Sequence, residues 1–341
     1  MSKAAELAKM GEVLTNGQIG GRRNIIINGA MQVAQRATSA TFNSSTGDYQ
    51  TVDRFRFAGN RDQYVATLSQ ASDSPSGFAN SFKVATTTQE TSLDADNQLN
   101  IQHRLEGQDL QQLKKGTSDA EKLTLSFYVK SSIATTFTVN LVDGDNTRTI
   151  ASTYTVNVAD TWELKTITFA GDTTGTLDND NARSLDLKFW LDGGTTYTSG
   201  TLATSWASSN DANKISATTG FMTTANSTWQ ITGIQLEVGS TATPFEHRSF
   251  GEEFSLCSRY YEVAEAYGNS YHYNDQASSS DREDITATYK VEKRATPTLT
   301  VTNQSTGSLS NLSNTTKKAT YRRTGSFGST AAYSVVSEAE L

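Results

Sequence analysis

Pairs of aspartates separated by a single residue are the first candidates for chemistry in this sequence. Two carboxylates about 5 to 9.5 Å apart across a sugar-binding groove are what glycoside hydrolysis requires. These pairs instead lie in stretches rich in Asn and Gly, where acidic side chains commonly cap turns. The pattern favours turns over catalysis, and we expect no enzymatic activity. The pairs are Asp94 with Asp96, Asp143 with Asp145, and Asp178 with Asp180.

The same aspartates and three histidines are the candidate metal ligands. Clustered carboxylate oxygens suit calcium, but no loop fits the twelve-residue calcium-binding pattern that ends in Glu. The histidines are far apart in the sequence and show no zinc-ligand spacing. We therefore predict no cofactor and no zinc site, while a structural calcium ion stays an alternative that the pattern does not favour. The histidines are His103, His247 and His272.

Aromatic side chains in polar stretches are candidates for sugar binding, because a flat ring can stack on a pyranose while polar neighbours bond its hydroxyl groups. The alternative for each ring is packing inside its own domain or at a subunit interface, which is the more common use of such residues. The candidates for glycan stacking are Tyr197, Trp206, Tyr271 and Tyr273.

The single cysteine, Cys257, excludes an intramolecular disulfide, so stability has to come from core packing or from assembly. It lies in a helical pattern, and no histidine-containing motif accompanies it. This context favours a small buried apolar side chain over a catalytic thiol.

Charge and hydropathy exclude several classes of partner for this chain of 341 residues. Its formal net charge is −7 and its basic residues are scattered, whereas a nucleic-acid-binding protein needs a clustered basic surface. No apolar run approaches the roughly 20 residues of a membrane span, and the N-terminus lacks the apolar core of a signal peptide. We expect neither a nucleic-acid partner nor a membrane partner.

Apolar residues recur at every second position through most of the chain between Asn24 and Val238. This period predicts strands with one buried face, and Asp-Gly and Gly-Gly pairs between the runs predict tight turns. No alternation of strands with helices indicates a parallel sheet. We predict an all-β fold, an antiparallel jelly roll or β-sandwich. Two examples are Leu123, Leu125, Phe127 and Val129, and then Leu185, Leu187, Phe189 and Leu191.

The last alternating run before residue 238 changes phase part-way along. Trp229 and Ile231 share one phase, and Ile234 and Leu236 share the other. A β-bulge at Gly233 accounts for the slip, because a bulge adds one unpaired residue to a strand.

Helical patterns occur at three places, two of which interrupt the β-rich part. Residues 108–115 followed by Gly116 predict a short surface helix with a glycine stop. Ser249 and Glu252 form a capping box at the start of a helix over residues 249–262. A third helical pattern, at the N-terminus, places three apolar side chains on one face, but a helix so short is marginal alone and needs a partner. These three side chains are Leu7, Met10 and Leu14.

Together these patterns predict four parts of the chain. The N-terminal arm either packs against copies of itself or docks onto a neighbouring protein. The helix bridges the jelly roll and a second, smaller β domain. The parts are the attachment or oligomerisation arm 1–21, the jelly-roll domain 22–248, the bridging helix 249–262 and the small β domain 263–341.

A series of short motifs runs in order along the chain. In the identity of these motifs and in their order, the chain resembles a recurring module of bacteriophage virion proteins of the tail fibre type. Residues 294–297 (RATP) and 338–341 (EAEL) are also similar to the ends of such proteins. The motifs are 23–36 (RNIIINGAMQVAQR), 52–55 (VDRF), 105–108 (LEGQ), 123–131 (LTLSFYVKS), 231–239 (ITGIQLEVG), 242–250 (ATPFEHRSF) and 256–261 (LCSRYY).

The resemblance implies a jelly roll like that of carbohydrate-binding modules, mounted on a phage particle, and it implies no catalytic residue. We expect a structural tail fibre or appendage subunit that contributes to host attachment. Its partners would be other tail or capsid proteins, two further copies of itself in a trimer, and a host-surface glycan. It would be made in the host cytoplasm and located in the virion. A host-surface polysaccharide-binding module, and a capsid or tail decoration protein without a receptor role, are the alternatives.

Overall fold

The computed structural model describes Lys3 and residues 22–43, 47–271, 282–302, 308–324 and 332–341. The chain divides into two compact units, Met1–Arg248 and Ser249–Leu341. Both consist mainly of antiparallel strands, which confirms the predicted all-β class. The side chains predicted to form the N-terminal helical face, Leu7, Met10 and Leu14, lie outside the described residues.

The first unit contains two six-stranded sheets, which we call sheet I and sheet II. Sheet I has the order β1-β3-β4-β12-β6-β9, with β1 Ser39–Phe42, β3 Val65–Ala71, β4 Ser81–Thr88, β12 Thr228–Val238, β6 Leu123–Ser131 and β9 Glu163–Phe169. Sheet II has the order β11-β8-β7-β10-β5-β2, with β11 Ala207–Ser208, β8 Arg148–Thr155, β7 Thr136–Asp143, β10 Arg183–Gly193, β5 Gln98–Glu106 and β2 Phe55–Asn60.

The core of the first unit lies between these sheets. Alternate residues of each strand point inward, as the period of two predicted. Phe127 of sheet I meets Phe189 of sheet II edge to face, with ring centroids 5.0 Å apart. Burial of each such side chain stabilises the fold by about 1.5–3 kcal/mol, so the interface between the sheets is the main source of stability.

The predicted bulge in β12 is confirmed. The pairing of β12 with β6 shifts register between Thr232 and Gln235, and Gly233 has φ +63°. A Cβ on Gly233 would also lie 2.7 Å from the ring of Phe78. The bulge lets Ile231 and Ile234 both point into the core although they are three residues apart.

The predicted surface helix over residues 108–115 is instead a pair of 3-10 turns, Gly107–Asp109 and Gln111–Leu113. Lys114 then adopts a left-handed conformation with φ 48°. The α-helical prediction was wrong because Lys115 is buried, and its ammonium group is held by carboxylates of other segments. The buried position of Lys115 determines where the 3-10 turns end.

The short α-helix α1, Thr195–Thr198, and a 3-10 turn, Asp211–Asn213, belong to the long connection between β10 and β12. Ile215 in the same connection packs with Trp190 of β10 and Tyr197 of α1 as a small separate cluster. The connection is thereby held against the outer side of sheet II.

The second unit begins with the helix α2, Phe250–Ser258, which is shorter than the predicted helix over residues 249–262 because the first strand of the unit already begins at Tyr261. The hydroxyl of Ser249 accepts a hydrogen bond from the backbone N–H of Glu252 at 3.3 Å, as the sequence predicted. A single six-stranded sheet follows, ordered β15-β18-β13-β14-β17-β16. Its strands are β13 Tyr261–Tyr271, β14 Arg282–Thr288, β15 Thr298–Thr302, β16 Ser308–Asn314, β17 Lys318–Thr324 and β18 Ala332–Glu338.

A buried ion pair fastens α2 to this sheet. The Lys293 ammonium lies 2.7 Å from the Glu262 carboxylate, and both side chains are fully buried. The ammonium also donates to the backbone carbonyl of Ser258, the last residue of α2. Cys257 in α2 is buried and free of disulfide.

The start and the end of the first unit are joined by what we call the terminal network, formed by Asn24, Ile26, Ile234, Glu246 and Arg248. The Asn24 amide donates to the Ile234 carbonyl at 3.0 Å, and the Asn24 backbone N–H donates to Glu246 Oε2 at 2.8 Å. Arg248 Nη1 donates to the Ile26 carbonyl at 3.0 Å. These residues come from three of the motifs that carry the phage resemblance, so the motifs serve the architecture.

Candidate functional site

The outer side of sheet II carries a group of polar side chains, which we call the polar face. It arises from the same alternation that builds the core: because Leu99 and Ile101 of β5 point inward, the residues between them point outward. The polar face consists of Arg56, Asn100, Gln102, Arg104, Arg183, Asp186 and Lys188.

Strand register places these residues side by side. Lys188 of β10 is paired with Gln102 of β5, and Gln102 is paired with Arg56 of β2. Asp186 is paired with Arg104 in the next row. Directly opposite residues on one face have Cβ atoms about 4.5–5.5 Å apart, so side chains distant in sequence form one continuous surface.

The Gln102 amide orients two guanidinium groups on this face. Its Oε1 accepts from Arg56 Nη1 and from Arg104 Nη2, both at 3.2 Å. Its Nε2 donates to Asn100 Oδ1 at 2.7 Å. An amide that accepts from two cations keeps both guanidinium groups close together, although their charges repel.

Asp186 is the central carboxylate of the polar face, and it is fully buried. Arg183 Nε donates to Asp186 Oδ1 at 2.6 Å, and the Lys188 ammonium lies 3.5 Å from Asp186 Oδ2. A second carboxylate, Glu106, ends the same row of β5 and accepts from the Gln108 amide at 2.7 Å. We count Glu106 with the polar face from here on, so that among the described residues the face has two carboxylates and four cations, namely Arg56, Arg104, Arg183 and Lys188.

Burial disfavours two of the positive charges on this face, whereas Asp186 raises the pKa of Arg183 against the effect of burial. Burial lowers the pKa of Arg56, and the neighbouring charge of Arg104 lowers it further. Burial likewise lowers the pKa of Lys188, against the opposing effect of Asp186. Each of the two lowered pKa values means that the cation is less well stabilised than in water, so an added negative charge would be favourable here.

Two segments flank the polar face. On one side the Asn140 amide, which lies next to Lys188 in register, donates to the Lys214 carbonyl at 2.9 Å. On the other side Arg56 Nη2 donates to the Gly47 carbonyl at 3.0 Å. Beside these segments the side chain of Lys188 is only 16% exposed.

The two candidate stacking residues of the first unit lie in different places. Tyr197 is 9% exposed, and its ring centroid is 5.3 Å from that of Trp190. Trp206 is half-buried, and its indole N–H donates to the Ala170 carbonyl at 2.7 Å. The structure does not bring them into one cluster, and little of the Tyr197 ring is open to a ligand. Their role in sugar stacking stays a prediction.

The candidates of the second unit are described less fully. Tyr271 is the last residue of β13, and its side chain is outside the described part. Tyr273 lies outside the described residues altogether.

Asp143, one of the paired aspartates, belongs to a buried cluster that we call the lysine cage. The Lys115 ammonium lies 2.5 Å from Asp143 Oδ2 and 3.0 Å from Asp172 Oδ2. It also donates to the carbonyls of Thr174 and Gly175 at 3.0 and 2.8 Å. Two carboxylates and two carbonyls are the kind of ligands that calcium takes, but here a lysine supplies the positive charge.

Both carboxylates of the cage have further partners. Arg148 binds Asp172 through two hydrogen bonds, of 2.7 Å from Nε and 3.0 Å from Nη2. Asp143 Oδ1 accepts from the backbone N–H of Asn146 at 3.0 Å, which is the turn role predicted for it. No group of three or more His, Cys, Asp or Glu side chains in the described ranges is arranged to hold a metal ion.

Two of the three histidines are described, and their environments differ. His103 is buried, with Nε2 3.1 Å from the Ile27 carbonyl oxygen. Burial, and then the positive charge of Arg54, hold the pKa of His103 well below its usual range, so its ring is neutral. His247 is exposed beside Phe245, with ring centroids 4.8 Å apart. His272 lies outside the described residues.

Neither a protein-family model nor a curated protein sequence matches this chain. Among the described residues, no helix is both long enough and apolar enough to cross a membrane.

Three solved structures illustrate what the chain is similar to. One is the enzymatically active domain of tailspike protein 4 of bacteriophage CBA120, at 11% identity over 63% of this chain and 21% of that one, with a TM-score of 0.33. Another is the family 11 carbohydrate-binding module of the Clostridium thermocellum cellulase Lic26A-Cel5E, at 14% identity over 62% and 99% of the chains, with a TM-score of 0.31. The third is TmCBM61 in complex with β-1,4-galactotriose, at 10% identity over 64% and 99%, with a TM-score of 0.30.

The polar face is the feature that sequence reasoning missed. Its signal was present, because Asn100, Gln102 and Arg104 alternate with buried residues, as do Asp186 and Lys188. The alternation predicted which residues are inside. It gave no information on which strands would place their outward residues next to one another.

Proposed function

We propose that this chain is a non-enzymatic structural subunit of a bacteriophage virion, a tail fibre or appendage subunit that contributes to host attachment. The terminal network carries the proposal. Residues from the motifs at 23–36, 231–239 and 242–250, which resemble phage virion proteins, bind one another across more than 200 positions of sequence. These motifs join the first and last segments of the β-sandwich by hydrogen bonds. Such residues stabilise the fold, which is the function expected of a structural module.

The aspartate pairs support a role without catalysis. Asp145 Oδ2 accepts from the backbone N–H of Asp178 at 3.0 Å, and Asp180 Oδ1 accepts from that of Ala182 at 2.9 Å. These carboxylates stabilise loops, as the Asn- and Gly-rich context predicted. A catalytic pair would instead face a groove with one carboxylate on either side of the substrate.

We further propose that the subunit is a trimer, because threefold association covers strand edges and gives the N-terminal arm a partner. Light scattering of the purified full chain should give three times its mass of 36.9 kDa. A stable monomer at micromolar concentration would contradict the trimer.

Mass spectrometry of purified particles of the phage that encodes this chain tests the virion role directly. We expect the chain in the particles, and we expect a version lacking residues 1–21 to fold but to be absent from them. The full-length chain produced from the same promoter is the control for expression. Particles without the full-length chain would overturn the proposal.

A host-surface polysaccharide-binding module is the second candidate function. The polar face supports it, because its partly exposed guanidinium groups, which buried amides hold in fixed positions, are suited to bonding sugar hydroxyl groups. This function predicts that the purified chain binds host cells and that soluble host polysaccharide competes for the binding. It is compatible with a place in the virion.

A further inference from the structure

The polar face carries an excess of positive charge, whereas the chain as a whole is acidic. The whole chain carries a formal net charge of −7. On the polar face, counted over the described residues, Arg56, Arg104, Arg183 and Lys188 outnumber the carboxylates Asp186 and Glu106. A local excess of positive charge in an acidic protein concentrates the electrostatic attraction for anions at one place.

The burial of these cations separates them from ordinary surface residues. A solvated surface cation is well stabilised by water, but Arg56 and Lys188 are largely covered, and burial lowers the pKa of each. Asp186 already accepts from Arg183, so it only partly compensates Lys188, whose ammonium is 3.5 Å away. An anionic group at this position would restore the stabilisation that burial removes.

The neutral groups of the face indicate the rest of the ligand. The Gln102 and Asn100 amides form a hydrogen-bonded row between the cations. Asn100 and Gln102 are themselves only 2% and 6% exposed, so they position the guanidinium groups of Arg56 and Arg104, which are partly exposed and can bond the hydroxyl groups of a polyhydroxylated ligand. A nucleic acid strand would instead need a longer line of cations and exposed rings for base stacking. Trp190, the aromatic residue of β10 beside this row, is covered by Tyr197.

We propose that the polar face of sheet II binds an acidic saccharide, with the anionic group of the sugar against Lys188, Arg56 and Arg104. This inference rests on the proposed contact with the host surface and adds the class of ligand. Carboxylate, sulfate and phosphate groups share the chemistry that these cations recognise.

The test is binding of the full chain to purified polysaccharides in four classes: uronate-bearing, sulfated, phosphate-bearing, and neutral chains of matched length. We expect binding to at least one acidic class that is at least ten-fold tighter than to the neutral class. We also expect the affinity to fall as NaCl is raised from 50 to 500 mM, because salt screens the attraction between the face and an anionic chain that approaches it. The class that binds identifies the anionic group.

Two variants locate the binding. Lys188→Gln and Arg56→Gln each remove one cation, and we expect each to weaken binding about ten-fold, as for loss of a hydrogen bond to a charged group. Lys83→Gln is the matched control, because Lys83 lies on the outer side of sheet I, in β4. It should leave binding unchanged. Thermal melting of each variant checks that the fold is retained.

Several outcomes would overturn the inference. Equal binding of acidic and neutral chains would show that charge is not recognised, and it would leave a glycan-binding role standing. Equal weakening by Lys83→Gln would show nonspecific ion exchange. Binding to none of the four classes would refute the acidic ligand, whereas the virion role is decided separately by particle composition.

Discussion

The lysine cage and the polar face both bury positive charge in the first unit, but they differ in how that charge is balanced. In the cage, the Lys115 ammonium meets two carboxylates and two carbonyls within 3.0 Å. On the polar face, Lys188 has a carboxylate at 3.5 Å that is shared with Arg183. A fully balanced cluster serves the fold, and an incompletely balanced one has charge left to recognise a ligand.

In the cage the Lys115 ammonium lies where a calcium ion could bind Asp143 and Asp172. The charge that would attract a divalent ion to Asp143 and Asp172 is already compensated by Lys115 and Arg148. A lysine supplied by the chain needs no ion from solution. The comparison between the two clusters can be tested by altering each in turn.

The largest effect is expected from Lys115→Met. The substitution leaves Asp143 and Asp172 buried without the ammonium, and breaking a buried pair in this way costs about 3–5 kcal/mol of stability. Urea denaturation measures the loss. The control is Lys114→Met, because Lys114 is 54% exposed and pairs with Glu121 at the surface, where little or no loss of stability is expected. Equal losses in the two variants would refute the structural role of the cage.

The second effect concerns His103, because its burial in the core disfavours a positive charge on the imidazole ring. Its folded pKa lies well below the ordinary value of 6.5, so below that pH the unfolded chain binds more protons than the folded one. Stability should therefore decrease as the pH falls below about 6.5, by at most about 1.4 kcal/mol per pH unit from this group.

Two variants isolate this pH dependence. His103→Asn should flatten the slope between pH 6.5 and 5, whereas His247→Asn, at an exposed position, should keep it. Denaturant midpoints at each pH provide the measurement. An unchanged slope in His103→Asn would assign the acid sensitivity to other groups.

A smaller effect tests whether the cage is a cation site in its own right. Lys115→Ala leaves the oxygens of Asp143, Asp172, Thr174 and Gly175 without their ammonium, and these are suitable calcium ligands. Calcium at ten times its dissociation constant would stabilise the variant by about 1.4 kcal/mol. The natural chain should not respond to calcium. Equal stabilisation of both proteins would place the ion elsewhere.

The smallest effect is expected from Lys188→Gln on the polar face. Asp186 keeps its partner Arg183, and the loss of one cation relieves repulsion, so stability should change by less than about 1 kcal/mol. Urea denaturation beside Lys115→Met gives a direct comparison. A loss as large as that of Lys115→Met would make the polar face part of the architecture and remove the contrast between the two clusters.

The prediction of the fold from the sequence succeeded where the signal is local. The phase change around Gly233 predicted the bulge that β12 contains, and Ser249 with Glu252 predicted the cap of α2. The prediction failed at residues 108–115, where a helical pattern forms 3-10 turns. There the contacts of Lys115 with distant carboxylates outweigh local preference.

The candidate site was harder to predict, since its residues come from strands far apart in the chain. Arg56, Gln102 and Lys188 are adjacent because β2, β5 and β10 are neighbours in sheet II. Tyr197 was a candidate for sugar stacking because it is an aromatic residue in a polar stretch, yet its ring packs against Trp190. Composition around a residue does not reveal what a distant segment will cover.

The sequence by itself determined the antiparallel β class, the inward side of each strand and the local turn and cap chemistry. These follow from side-chain alternation and backbone preference, which act over a few residues. Only the tertiary structure decided the order of the strands, and with it the two clusters of positive charge. Strand order depends on the packing of the whole core, so it determines which distant charges lie within a few ångströms of one another.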